Sequence, residues 1–218
     1  MKSPSLLFLA LAVSFVGLWA CGAGVKPVVI AVPVESTRSC LSLFPDQGWR
    51  AVHKIEALWP GGGRKVLLGV TKAEPEASSL HGVLLTVEGL VLMEARRQGR
   101  NMEILRAVPP FDSAGFGPGL LDDVELMLLP PRGEIVASGL TAAGDRVCRW
   151  RRPGGEVQEI CSMNEGNWRI RLFDPRGRLL REVEAWPPLE RGFAARMRLK
   201  SFGPGGYELE LHLLEAGP

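Results

Sequence analysis

The sequence has almost no surplus of either charge. It carries 26 Lys and Arg against 24 Asp and Glu, a formal net charge of +2 over 218 residues. That balance lacks the basic footprint nucleic acid requires, and the arginines alternate with glutamates as on a solvated face. Histidine is scarce and dispersed, at His53, His81 and His212, too few to define a base or a metal cluster. Four cysteines occur without a C-x-x-C, which argues against a zinc site. There is no G-x-S-x-G elbow. Asp112-Ser113-Ala114-Gly115 resembles a nucleophile site only superficially, with no histidine near it in sequence. Gly61-Gly62-Gly63-Arg64-Lys65 is glycine-rich and basic, but it lacks the P-loop spacing and joins two expected strands. Asp122 and Asp123 are adjacent, so on a helix their side chains point different ways. The expectation is a protein that is not an enzyme and binds no cofactor, no metal and no nucleic acid.

Long apolar runs are also missing, with one exception at the N-terminus. Residues 6–18, LLFLALAVSFVGL, carry no charge and follow a short segment containing Lys2. A basic n-region, an apolar h-region of this length and a small-residue exit make a secretory signal. The run is short for a hydrocarbon core of ~30 Å, which takes roughly 20 residues. Leu18-Trp19-Ala20-Cys21 resembles the bacterial lipobox, although Trp19 stands where that pattern favours a small or β-branched residue. The resemblance implies cleavage before Cys21 and acyl groups, palmitate among them, on that cysteine; two or three chains anchor stably where one does not. Gly22, in place of an aspartate, implies sorting to the outer membrane, on its periplasmic face.

Cys40, Cys148 and Cys161 remain, and an oxidising envelope permits disulfides. Arg152-Pro153-Gly154-Gly155-Glu156 reads as a hairpin turn. With Gly154-Gly155 as a two-residue loop, Cys148 faces Cys161 closely enough for a bridge. A slip of one residue puts the two thiols on opposite faces and forbids it.

Residues 22–45 contain Pro27, Pro33 and Pro45 with little periodicity and read mostly as a tether, with a short strand over 28–34. From residue 49 strand follows strand: 52–59, 65–71, 82–87, 90–96 and 101–108, separated by glycine-bearing turns. The period then changes. Leu120, Leu121, Val124, Met127 and Leu128 recur at helical spacing, Asp122 and Asp123 suit a first turn, and Pro130-Pro131 ends the segment. Strands resume over 134–140, 146–151, 157–163, 168–173 and 179–186. In the last hairpin Phe193, Ala195, Met197 and Leu199 alternate with basic residues, and Tyr207, Leu209, Leu211 and Leu213 with polar ones. Matching the apolar faces sets Lys200 opposite Glu208 and Arg198 opposite Glu210. Such alternation means one wet and one dry face, and a sheet of about ten strands must curl or be covered. The expected class is mainly β with a helical insertion: a curved antiparallel half-barrel covered by a short helix. The expected divisions are 1–20 signal peptide, 21–48 lipidated N-terminus and tether, and 49–218 half-barrel domain.

A lipobox, a meander, a helical segment ending in Leu-Leu-Pro-Pro at 128–131 and a second meander together resemble the LolA/LolB type of lipoprotein carrier. They are also similar to an uncharacterised family of bacterial lipoproteins thought to share that fold. The segment PGLLDDVELMLLP at 118–130 and the terminal Gly206-Tyr207-Glu208-Leu209-Glu210-Leu211 carry the resemblance. It implies an apolar cavity for acyl chains or lipidated partners between half-barrel and helix. In the LolB type an exposed loop leucine assists insertion into the membrane, and Leu80, between two expected strands, is the candidate here. The family has several helices across the concavity, where this sequence offers one. Met93, Met102, Leu120, Leu121, Val124, Met127 and Met197 are the candidate cavity lining. Methionine suits adaptable apolar sites, but the same set equally builds a filled core. The functional expectation is therefore a carrier or acceptor of acyl chains, with a structural or docking lipoprotein as the alternative.

Overall fold

The computed structural model describes residues 30–31, 38–45, 47–59, 63–163, 166–190 and 192–218. The expected signal, lipobox and Cys21 lie outside these residues. The elements in chain order are β1 (Ile30–Ala31), α1 (Arg38–Leu41), β2 (Trp49–Leu58), β3 (Arg64–Glu74), β4 (Ser79–Leu85), β5 (Val91–Gln98), β6 (Asn101–Ala107), α2 (Phe116–Leu128), β7 (Glu134–Leu140), β8 (Arg146–Arg151), β9 (Val157–Ser162), β10 (Trp168–Phe173), β11 (Leu179–Glu190), β12 (Phe193–Ser201) and β13 (Glu208–Gly217).

Among the described residues thirteen strands form one antiparallel sheet in the order β1-β7-β8-β9-β10-β11-β12-β13-β2-β3-β4-β5-β6. Two meanders therefore lie side by side, joined where β13 pairs with β2. The sheet is not closed: β6 forms one edge, and the two-residue β1 covers β7 at the other. The chain must travel from β6 at one edge to β7 at the far side. α2 lies in that crossing, so the topology itself carries a helix over the sheet.

Strand alternation fixes which side chains turn into the core. In β2, Ala51, His53 and Ala57 are buried while Arg50 and Leu58 are exposed. In β12, Phe193, Met197 and Leu199 are buried. The β12–β13 register is the expected one, with Met197 opposite Leu211, Arg198 opposite Glu210 and Lys200 opposite Glu208.

α2 begins at Phe116, four residues before the first residue of its apolar repeat. Pro118 is compatible with this because first-turn N–H groups have no partner inside the helix. Asp122 and Asp123 consequently sit in the second turn, not the first, and Asp123 is buried. The helix approaches the sheet through glycines. A Cβ on Gly117 would lie 2.5 Å from the Met93 methyl, and one on Gly82 would lie 3.3 Å from Leu121 Cδ2.

Two further expectations are corrected. The bridge is Cys40–Cys148, and Cys161 is free and buried. The β8–β9 turn is one residue longer than expected: Arg152 N–H donates to Glu156 O, and Gly155 takes a positive φ of 83°. This three-residue loop shifts the register so that Cys148 faces Ile160 and Cys161 faces Val147, on opposite faces of the sheet. The tether is also shorter than expected. Cys40 and Phe44 are buried, and Phe44 meets the Trp168 ring edge-on at 5.9 Å. An apolar pair and a disulfide pin residues 38–45 to the half-barrel, although their sequence has no strand or helix period.

Candidate functional site: an apolar cleft under the helix

Between the first turns of α2 and the concave face lies a cleft of about 330 Å³. Its sheet wall comes from Ile55 and Ala57 of β2, Leu67 of β3, Leu84 of β4 and Leu209 of β13. Phe116 and Leu120 close it from the helix side. Trp59 lines the outer end, with its ring 6.4 Å from Phe116 and 6.1 Å from Tyr207. The exposed Gly115 and Gly205 flank the mouth. The volume falls at the small end of the ~300–1,000 Å³ typical of ligand sites. A smaller chamber of about 40 Å³ adjoins it and shares Ile55, Leu84, Leu120, Asp123 and Leu209. His53, Thr71, Val124 and Met127 also line this chamber. A larger hollow of about 740 Å³ lies elsewhere, between residues 41–49, Phe193 and the end of β13. It is away from the helix and shares no residue with the cleft.

One polar cluster interrupts the apolar wall. Arg181 Nε donates to Asp123 Oδ1 at 2.5 Å, and the Tyr207 hydroxyl donates to Asp123 Oδ2. All three residues line the cleft. Burial pushes the Asp123 carboxyl above its ordinary range, against the pull of Arg181 and Tyr207. Burial, and then the Asp123 charge, pushes the Tyr207 hydroxyl up. The cluster ties α2 to β11 and to the start of β13. On other faces of the helix, Arg97 of β5 reaches Asp122 at 2.9 Å and Glu125 at 3.0 Å, and Arg152 reaches Glu125 at 3.6 Å. The helix is thus held by arginines from both meanders.

The expected cavity residues divide. Leu120 lines both chambers, and Val124 and Met127 line the inner one. Met93, Leu121 and Met197 are buried in the main core and line neither, while Met102 packs partly buried against that core. For those four the filled-core alternative holds. Leu80 is not an exposed loop residue: it lies in β4, 1% exposed and part of the core. The β4–β5 turn instead exposes Val87 and Leu90, at 55% and 56%. Ser113 is exposed, and His81 and His212 each pair with one surface carboxylate, Glu94 and Glu210. Among the described residues no group of three or more His, Cys, Asp and Glu could hold a metal ion.

Arg181, Tyr207, His53 and Trp59 were not among the expected site residues. Strand parity carried a signal for three of them. Arg181 shares a face with Val183 and Ala185, Tyr207 with Leu209 and Leu211, and His53 with Ala51 and Ile55. A polar residue on a dry face has to find a partner or a ligand.

No family model matches the chain. No curated protein matches it either. Solved structures do. A LolA superfamily protein from Nitrosomonas europaea superposes with a TM-score of 0.56 at 10% identity, covering 85% of this chain and 93% of that one. A domain named for outer membrane lipoprotein sorting, from Vibrio parahaemolyticus, superposes with a TM-score of 0.53 at 10% identity, covering 84% and 90%. An unclosed antiparallel sheet wrapped on one short helix, with these neighbours, is a LolA-like fold.

Proposed function

We propose that this protein is a lipid-anchored component of the bacterial envelope, held on the periplasmic face of the outer membrane through Cys21. In this reading it takes an acyl chain, free or on a lipidated partner, into the cleft under α2 and passes it on without chemistry. The observation that carries the reading is the cleft itself, apolar except for the Asp123–Arg181–Tyr207 cluster and flanked by aromatic rings, inside a LolA-like fold. Burying each methylene of a chain there is worth about 0.8 kcal/mol. Val87 and Leu90, exposed on one turn, are the side chains that would touch a bilayer surface.

The test is titration of the full chain carrying Cys21→Ser with a fluorescent acyl probe. The reading expects saturable binding near one probe per chain, lost in Leu120→Trp, which fills the cleft. Binding that never saturates, or is indifferent to Leu120→Trp, would contradict it. The anchor is tested separately. Labelled palmitate should enter the wild-type chain and not Cys21→Ser, and labelling of both would place the acyl group elsewhere.

A second reading, a docking lipoprotein with a filled core, draws on Met93, Leu121 and Met197 being core residues and on β6, an edge strand exposing Ile104 and Leu105. It expects no probe binding at all.

A further inference from the structure

We propose that the inner chamber is a subsite for an uncharged hydrogen-bonding group carried on an apolar chain, a hydroxyl or the carbonyl of an ester or amide, with His53 as its partner. This rests on the reading of the cleft as a chain-binding site and specifies what the chain must carry.

Three observations support it. His53 is 2% exposed, lines the inner chamber, and its Nε2 has no hydrogen-bond partner. A buried imidazole nitrogen left unpaired is costly, so a ligand atom that pairs with it gains more than the same contact would in water. The chamber's size is the second. About 40 Å³ has room for a small polar group, since a cavity needs only roughly 10–15 Å³ to hold a water molecule. Charge is the third. Both oxygens of Asp123 are engaged, one by Arg181 and the other by Tyr207, so the polar wall presents an internally neutralised pair. Burial holds the His53 ring neutral, with its pKa lowered to about 4. An ionised carboxylate or phosphate entering the chamber would lose its hydration and meet no uncompensated cation. A neutral donor or acceptor loses much less and gains the imidazole. Because a neutral imidazole nitrogen donates or accepts according to its tautomer, either a carbonyl or a hydroxyl satisfies it.

The experiment compares 1-decanol with decanoate at pH 8 by calorimetry, on the full chain carrying Cys21→Ser. The expected result is decanol binding at least about tenfold tighter. His53→Leu should weaken decanol by about tenfold and leave decanoate unchanged, while His53→Gln, which keeps a hydrogen-bonding group, retains most of the preference. The 15N resonance of His53 Nε2 should shift on adding decanol, a readout that does not depend on any variant folding. Decanoate binding as tightly as decanol, or a His53 resonance that does not move at saturation, would overturn the subsite and leave the cleft as a plain chain site. If neither compound binds, the chain-binding reading fails and the subsite fails with it.

Discussion

His53 is a basic group kept uncharged by its surroundings, and that has a consequence for stability. Its pKa falls from 6.5 to about 4 on folding, with burial as the cause. Between those values the unfolded chain binds a proton there and the folded chain does not, so stability is lost as pH falls through that interval. The loss from this one group approaches about 3 kcal/mol by pH 4. Urea unfolding of wild type and His53→Leu at pH 7, 5 and 4 should show the variant losing correspondingly less, and parallel losses would mean that His53 titrates normally. The cysteines give a second residue-scale prediction. Cys40–Cys148 closes a loop with a sequence separation of 108, for which chain entropy gives about 4–5 kcal/mol. Cys40→Ala with Cys148→Ala should destabilise by that order, whereas Cys161→Ala, which breaks no bridge, should cost only its packing. Peptide mapping that linked Cys148 to Cys161 would contradict the register. That register shows where sequence reasoning stopped. The turn was recognisable from Pro153-Gly154-Gly155, but whether two or three residues lie in the loop depends on the Gly155 conformation. One residue decided which thiol Cys148 could meet.

α2 is anchored by charge as well as by apolar packing. Its Asp123 is 4% exposed at the side chain and its partner Arg181 is 23% exposed. Removing one partner of such a pair leaves the other buried and uncompensated, a loss of about 3–5 kcal/mol. Arg181→Met should therefore destabilise strongly, and adding Asp123→Leu to it should recover much of the loss, because an apolar pair carries no desolvation penalty. Additive losses in the double variant, measured by denaturant unfolding, would mean the two do not act as a unit. Gly117→Val tests the packing side. Its side chain would collide with Met93 and Ile104, so faster amide exchange across α2 should precede any global loss, and unchanged exchange would show that the helix can shift aside. The helix was legible from Leu120, Val124, Met127 and Leu128. Its first turn was not, because Gly117, Pro118 and Gly119 carry loop propensities that burial against the sheet overrides. The ion pairs were legible only in part: Arg181 lies on the dry parity of β11, but nothing in the sequence says that Asp123 is its partner.

At the scale of the whole molecule, the sheet order explains the cleft. β13 lies beside β2, so the last long strand and the first meet inside the sheet, and the β6–β7 connection must pass over the concave face. Alternating strands announced a curved sheet needing cover, and the change of period at 120–128 announced the cover. The pairing of β13 with β2 links residues far apart in sequence and has no local signal. The burial of Cys40 and Phe44 was likewise hidden, because each is a single anchor without a period. What the fold leaves beneath α2 is a small apolar cleft with a neutral polar end, and the account stands on a chain occupying it. The most direct measurement is native mass spectrometry of the full chain carrying Cys21→Ser, purified from bacteria without detergent, beside the same chain with Leu120→Trp. The account predicts a bound lipid or acyl species at one per chain, present in the first and absent from the second while both unfold at similar temperatures. A clean unliganded mass in both, with no uptake of added acyl compounds, would contradict it.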